Sequence, residues 1–75
     1  MSTNMPSLDN NLDKIVGANM KRLRREKKLS RVAMAMKIHC SVETIASWET
    51  SCKKMSNMLE YARILNKDIL DFFSA

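Results

Sequence analysis

The sequence predicts an all-α fold, a compact domain of five short helices packed around one core. The chain of 75 residues contains one glycine and one proline, which argues against a β fold with many tight turns. Its seven methionines are unbranched, tolerate helices well and can fill gaps in a helical core. Apolar residues recur at helical spacing, and neither a strand-like alternation nor an internal repeat is found in the sequence.

The polar start of the chain predicts a flexible N-terminal arm over residues 1–11, followed by a folded domain over residues 12–75. The arm contains Pro6 and shows no apolar period. It also lacks the basic start and apolar stretch of a signal peptide. No run of about 18 apolar residues is present, so no membrane contact is expected. Two cysteines are too few for a disulfide scaffold, which favours a reduced, cytoplasmic location.

The first helix is predicted to begin at Leu12 and to end near Lys28. Apolar residues spaced four and three positions apart give it one continuous stripe, as in a helix that buries a single face. The stripe consists of Val16, Met20 and Leu23.

The second and third helices are predicted to follow after very short breaks. Ser30 and Ser41 are residues that favour N-cap positions, and each precedes an apolar-patterned segment. The third helix spans residues 42–50, and Ile45 and Trp48, three positions apart, form its inner side. Two helices joined by three or four residues constitute a helix-turn-helix.

The C-terminal part of the chain predicts a loop and two more helices. The polar residues 50–54 form the loop, and Asn57 with Glu60 three positions later has the pattern of a capping box for the fourth helix. Asp68 opens a short fifth helix. Its apolar residues are Ile69, Phe72 and Phe73.

The outward side of the third helix predicts a functional surface. Val42, Glu43 and Ser47 do not belong to the buried stripe, so the first turn of this helix should be exposed. A helix held by its core side with its first turn free can enter the major groove of DNA. The free N–H groups behind Ser41 would then face phosphate oxygens.

The positive charge of the chain is concentrated in one segment. Residues 21–31 hold seven basic residues and Glu26, a net +6, which leaves −1 of the total charge of +5 for the rest of the chain. Such a block is typical either of a solvated helix face or of a patch that faces phosphates. Composition alone leaves both interpretations open.

Three segments taken together resemble a known family. They are VGANMKRLRREKKLS, AMKIHCSVETIASWE and LEYARILNKDILDFF, which lie in this order over residues 15–73. Their shared pattern is a basic LR, then LS, then S-x-x-TI-x-x-WE, then A-x-x-L-N, then a closing aromatic pair. This combination resembles the lambda-repressor-like, Cro-type helix-turn-helix DNA-binding proteins, also called the xenobiotic-response-element type.

The resemblance implies specific roles for residues of this chain, in addition to the phosphate-facing position already expected for Ser41. The base-facing positions are Val42, Glu43, Thr44 and Ser47. The positions that contact phosphate are Ser30, Arg31, Thr50, Lys53 and Lys54. Arg24 and Glu49 match a buried or half-buried ion pair that braces the first helix against the third.

Neither a metal site nor an enzyme active site is predicted. His39, Cys40 and Cys52 are potential ligands, but no fourth ligand is evident and their spacing matches no zinc pattern. No serine–histidine–acid set and no paired carboxylates stand out in the sequence. We therefore expect a binding protein that uses no cofactor.

Several apolar residues lie at positions that the helical pattern leaves outward. Val32 and Met36 lie on the second helix, and Leu70 lies near the end of the chain. Together with Phe72 and Phe73, Leu70 is predicted to form a homodimer contact, since proteins of this kind read two half-sites about one helical turn apart.

The sequence therefore predicts a DNA-binding transcriptional regulator, a small repressor or a regulator of phage or mobile-element type, with double-stranded DNA as its partner. The alternative is a protein-interaction module, an antitoxin or adaptor, that uses the same scaffold with little or no DNA readout. Exposed Val32 and Met36 support the alternative, as does a base-facing set that contains Glu43, whose charge repels phosphate.

Overall fold

A computed structural model describes the backbone of residues 5–74 and the side chains of residues 11–74. The helices are α1 (Met5–Glu26), α2 (Arg31–Ile38), α3 (Val42–Thr50) and α4 (Met55–Leu65), followed by a 3-10 helix (Ile69–Phe73). Within the described residues there is no strand, so the all-α prediction is confirmed. The described part has four α-helices rather than the predicted five, because the last segment is a 3-10 helix. No helix in this part of the chain is long and apolar enough to cross a membrane.

Helix α1 begins earlier than the sequence predicted. It starts at Met5 instead of Leu12, so a section of the predicted arm is helical, and residues 1–4 lie outside the described range. Pro6 falls in the first turn, where its missing N–H has no helical acceptor in any case. The prediction of the helix start was wrong because it relied on an apolar period, which the polar residues before Leu12 do not show.

Three helix ends are closed by left-handed residues other than glycine. Lys28, His39 and Asn66 have φ angles of 61°, 70° and 57°. After α2, the Cys40 N–H donates to the Ala35 carbonyl oxygen at 3.0 Å, which is the bond that closes a Schellman-type end. The reversal at His39 brings the chain directly from α2 into α3.

The N-caps of α2 and α3 are those that the sequence predicted, whereas that of α4 is not. Ser30 Oγ accepts from the Ala33 N–H at 3.0 Å, and Ser41 Oγ accepts from the Thr44 N–H at 3.1 Å. Helix α4 begins two residues before Asn57 and has no side-chain cap, so the predicted capping box is wrong.

One apolar core joins all elements. Tyr61 and Phe72 are fully buried and their rings meet edge to face, with centroids 6.0 Å apart. The predicted dimer contact by Phe72 is therefore wrong, because this side chain lies inside the monomer. The other fully buried side chains are Val16, Met20, Met34, Ile45, Leu65 and Cys52.

Helices α1 and α3 approach each other closely at Gly17. A Cβ atom at this position would lie 2.8 Å from the carbonyl oxygens of both Trp48 and Glu49. Such a distance is shorter than van der Waals contact, and both neighbours are backbone atoms with little room to move. Glycine is therefore required here to set the height of α3 above α1.

Candidate nucleic-acid interface

Helix α3 has one buried and one exposed side. Ile45 and Glu49 are buried, whereas Val42, Glu43 and Ser47 are exposed. These three residues thus share the outward face that the sequence analysis expected. Because the inner side is held by core contacts, the exposed side is presented in a fixed orientation.

The first turn of α3 is ordered by two hydroxyl groups. Ser41 Oγ and Thr44 Oγ1 lie 2.9 Å apart, so one hydroxyl donates to the other. Ser41 Oγ also accepts the backbone N–H of Thr44, as the N-cap requires. Thr44 is half-buried, which leaves it less accessible than Glu43 and Ser47 beside it.

A buried carboxylate anchors the base of α3. Arg24 Nε donates to Glu49 Oε2 at 2.7 Å, and Arg24 Nη2 donates to Glu49 Oε1 at 3.3 Å. Arg24 Nη1 also donates to the Leu29 carbonyl oxygen at 2.6 Å. The pair expected from the family resemblance is therefore formed, and it ties α1, the turn after it and α3 together.

Arg31 joins the same cluster, which the sequence analysis did not anticipate. Its Nε donates to Glu49 Oε1 at 2.9 Å, so α2 is also bound to this carboxylate. The Arg31 side chain is 39% exposed, whereas that of Glu49 is 1% exposed. The guanidinium thus spans from the buried carboxylate to the surface between α2 and α3.

Tyr61 completes the cluster from α4. Its hydroxyl donates to Glu49 Oε2. Burial alone would raise the pKa of Glu49, but hydrogen bonds from Arg24, Tyr61 and Arg31 outweigh it and lower that pKa. Burial and the adjacent Glu49 carboxylate raise the pKa of Tyr61. Nothing in the sequence pattern indicated that the Tyr61 hydroxyl would meet a charged group.

The remaining predicted phosphate contacts lie at the far end of α3. Lys53 and Lys54 are exposed, and neither forms an ion pair within the described residues. The Thr50 hydroxyl donates to the Ala46 carbonyl oxygen at 3.1 Å, so it is engaged by its own helix. Arg31, which is bonded to Glu49 in the last turn of α3, and the two lysines of the following loop therefore place positive groups near the C-terminal part of this helix.

The basic block of residues 21–31 proves to be partly neutralised. Arg22 pairs with Glu26 on the surface at 3.0 Å, and Arg24 and Arg31 both pair with Glu49. Three of the seven basic residues in this block thus form contacts within the chain. The block residues without an ion pair in the described range are Lys21, Arg25, Lys27 and Lys28.

A second buried carboxylate fixes the loop that carries the lysines. Ser51 Oγ donates to Asp13 Oδ2, and the Cys52 N–H donates to the Asp13 carbonyl oxygen at 3.1 Å. The hydrogen bond from Ser51, with a smaller contribution from nearby Lys53, lowers the pKa of Asp13. Asp13 was not among the predicted site residues, because an acidic residue early in a helix is usually exposed.

The other candidate residues are not brought into one site. Cys40 and Cys52 are free thiols, and burial raises the pKa of both. Among the described residues there is no group of three potential ligands that could hold a metal ion. Leu70 is 69% exposed and Phe73 is partly buried. These two therefore remain available for the predicted dimer contact.

A scan against protein-family models found no match, and searches of curated proteins and of solved structures found none with significant similarity. The arguments for function therefore come from the residues and geometry of this chain.

Proposed function

We propose that this chain binds double-stranded DNA and regulates transcription by occupying an operator. The supporting observation is the orientation of α3. Val42, Glu43 and Ser47 lie exposed on one side, while Ile45 and Glu49 hold the other side in the core. An exposed helix face on a rigid support is what insertion into the major groove requires.

The connection between α2 and α3 supports a helix-turn-helix of the lambda-repressor-like kind. Residues 39–41 separate the two helices, the left-handed His39 reverses the chain, and Ser41 caps α3. The exposed helix would act as the recognition helix, and α2 would cross the DNA backbone. The resemblance of the quoted sequence segments points to the same arrangement.

Phosphate anchoring would come from Arg31, from the lysines of the loop after α3 and from helix N-termini. The Nη groups of Arg31 have no partner among residues 11–74, so they are free to bind a phosphate while Nε holds Glu49. Lys53 and Lys54 would bind the backbone beyond the C-terminal end of α3. Backbone N–H groups at the starts of α2 and α3, behind Ser30 and Ser41, add partial positive charge.

The base-facing residues would give modest sequence discrimination. Val42 can contact the methyl group of thymine, and Glu43 can accept from the cytosine amino group. Thr44 and Ser47 offer hydroxyls that suit several base edges. Binding should thus depend more on phosphate contacts than on base contacts.

Titration of a labelled mixed-sequence duplex at several salt concentrations tests the proposal. Each phosphate contact adds about 0.9 to the log–log slope of affinity against salt. We therefore expect Lys53→Ala and Lys54→Ala each to reduce the slope by about 0.9. Lys67→Ala, at the opposite end of α4 from the loop, is the matched control and should leave the slope unchanged. Absence of any association at low salt would exclude this function.

The second candidate is a protein-interaction module, and the exposure of two α2 residues favours it. Val32 is 53% exposed and Met36 is 71% exposed, one helical turn apart on one face. An exposed apolar pair of this kind suits a contact with another protein. A reduced salt slope in Lys53→Ala with an unchanged slope in Val32→Ser supports the first candidate, whereas no DNA binding by the native chain supports the second.

We also propose that the DNA-bound form is a homodimer that uses the C-terminal segment. Leu70 is the exposed apolar residue there, with Phe73 beside the core. The substitution Leu70→Glu should leave the monomer fold intact and abolish dimerisation. Sedimentation velocity on the native chain and the variant distinguishes the two states, and an unchanged monomer peak in both contradicts the contact.

A further inference from the structure

A groove of about 330 Å³ lies on the side of the molecule where α1 meets the loop after α3. Leu12, Val16, Met58 and Phe73 give it apolar walls. Asp13 and Lys53 contribute the charged groups. A concave, mainly apolar site with a few polar groups is the usual form of a small-molecule site.

Asp13 supplies the unusual feature of this groove. The residue is 8% exposed, and Ser51 occupies its Oδ2 atom. Its Oδ1 atom is buried and has no hydrogen-bond donor among the described residues. A buried acceptor without a donor is costly, and a carboxylate oxygen more so than a neutral one. A ligand that brings an N–H donor to Oδ1 would remove that cost.

Lys53 sets the second requirement for the ligand. It is exposed, it lines the groove, and it is close enough to Asp13 to lower the pKa of that carboxyl. The groove therefore offers one negative and one positive group beside an apolar surface. A ligand with a positive charge alone would be repelled by Lys53, and one with a negative charge alone would be repelled by Asp13.

From these features we infer that the groove binds a free apolar α-amino acid. The ammonium group would donate to Asp13 Oδ1, the carboxylate would accept from the Lys53 ammonium, and the side chain would pack against Met58 and Phe73. Leu12 is 41% exposed and lines the same groove as Asp13, so its side chain has room to change rotamer when a ligand enters. This site is separate from the exposed face of α3 and does not depend on DNA binding.

The test uses three probes that share one apolar body and is carried out without DNA. L-leucine carries both charges, 3-methylbutylamine lacks the carboxylate, and 4-methylpentanoate lacks the ammonium group. Amide chemical shifts of Cys52 and Lys53, followed by two-dimensional NMR, report on occupancy. We expect L-leucine to bind with a Kd on the order of 1 mM or tighter. Each partial probe should bind at least about 10-fold more weakly.

Two substitutions assign the contacts. Asp13→Asn should weaken the binding of L-leucine about 10-fold. In this variant 4-methylpentanoate, which lacks the ammonium group, should no longer bind more weakly than L-leucine. Lys53→Met, in an exposed loop, should weaken the binding of L-leucine by a similar factor. In this variant 3-methylbutylamine, which lacks the carboxylate, should no longer bind more weakly than L-leucine. If Asp13→Asn does not fold, Lys53→Met still decides whether the carboxylate contact exists.

A matched pair of tryptophan variants tests the location. Leu12→Trp should fill the groove and abolish binding, whereas Ile15→Trp, one turn away on the same helix and outside the groove, should leave it intact. Equal affinity for all three probes, or no shift at about 10 mM, would overturn the inference. Shifts that follow protein concentration alone would assign the groove to a second copy of the chain and would also overturn it.

Discussion

Two carboxylates lie buried where α1 meets α3, and they are satisfied very differently. Glu49 accepts from Arg24 and Arg31, as well as from Tyr61, so both its oxygens are occupied. Asp13 accepts from Ser51 through one oxygen, and the other oxygen has no donor among the described residues. One carboxylate joins four helices, whereas the other joins α1 to a loop.

The difference separates a structural charge from one that is available for binding. Both carboxyls have lowered pKa values, so both are ionised at neutral pH. At Glu49 the two arginines neutralise that charge inside the chain. At Asp13 the cation that lowers the pKa is Lys53, which is exposed and makes no ion pair within the described residues. A lowered pKa alone would not have distinguished the two sites, but the hydrogen-bond partners do.

The largest expected effect follows from removing the charge at Glu49. In Glu49→Gln two guanidinium groups would lose their counter-charge, and one of them, that of Arg24, is buried; breaking such a cluster typically costs about 3–5 kcal/mol. Urea unfolding at pH 7 measures the change in the free energy of unfolding. Glu60→Gln, which breaks an exposed pair with Arg63, is the control and should cost less than about 0.5 kcal/mol. Similar losses in the two variants would mean that Glu49 is not the structural charge described above.

A smaller loss is expected at Gly17, which lies on α1 between Asp13 and Arg24, the partner of Glu49. In Gly17→Ala the new methyl group would meet two backbone carbonyl oxygens at 2.8 Å and push α3 away. Overpacking of this kind costs about 1–3 kcal/mol, against a gain of about 1 kcal/mol in helix propensity. Ala18→Gly at the neighbouring exposed position isolates the propensity effect. A rise in Tm for Gly17→Ala would show that the two helices can separate freely.

The two carboxylate sites also differ in how far the sequence predicted them. Periodicity predicted the inner sides of α1 and α3, and the family resemblance paired Arg24 with Glu49. Neither periodicity nor the resemblance predicted that Arg31 and Tyr61 also contact Glu49, because the direction of a long polar side chain depends on neighbours far away in sequence.

The Asp13 site had no sequence signal at all. Its partner Ser51 is 38 residues away, and it reaches Asp13 because α3 lies close to α1 at Gly17. A helical period shows which side of a helix is buried, but it does not show which residues of another element will face that side. For the same reason Phe72 was predicted to be a surface contact although it packs against Tyr61.

Acid should weaken both sites, and the Glu49 site more. A carboxyl with a lowered folded-state pKa stabilises the fold above its unfolded pKa, and this contribution is lost as the pH falls through the folded value. Since unfolded glutamate and aspartate titrate at about 4.3 and 3.9, the loss should occur below about pH 4. Urea unfolding between pH 7 and pH 3 measures it. Glu49→Gln should flatten this pH dependence more than Asp13→Asn does. A larger flattening in Asp13→Asn would contradict the claim that acid weakens the Glu49 site more.

The smallest expected effect concerns Ser51, and it isolates the single bond that Asp13 makes with a side chain. The Ser51 hydroxyl is the main cause of the lowered Asp13 pKa, so Ser51→Ala should raise that pKa toward its ordinary value. The pH dependence of the Asp13 carboxyl carbon shift in NMR measures the change. Thr50→Ala is the matched control, because the Thr50 hydroxyl bonds within its own helix and should leave Asp13 unaffected. An unchanged Asp13 pKa in Ser51→Ala would mean that Lys53, rather than a hydrogen bond from the loop, holds this carboxylate in its charged form.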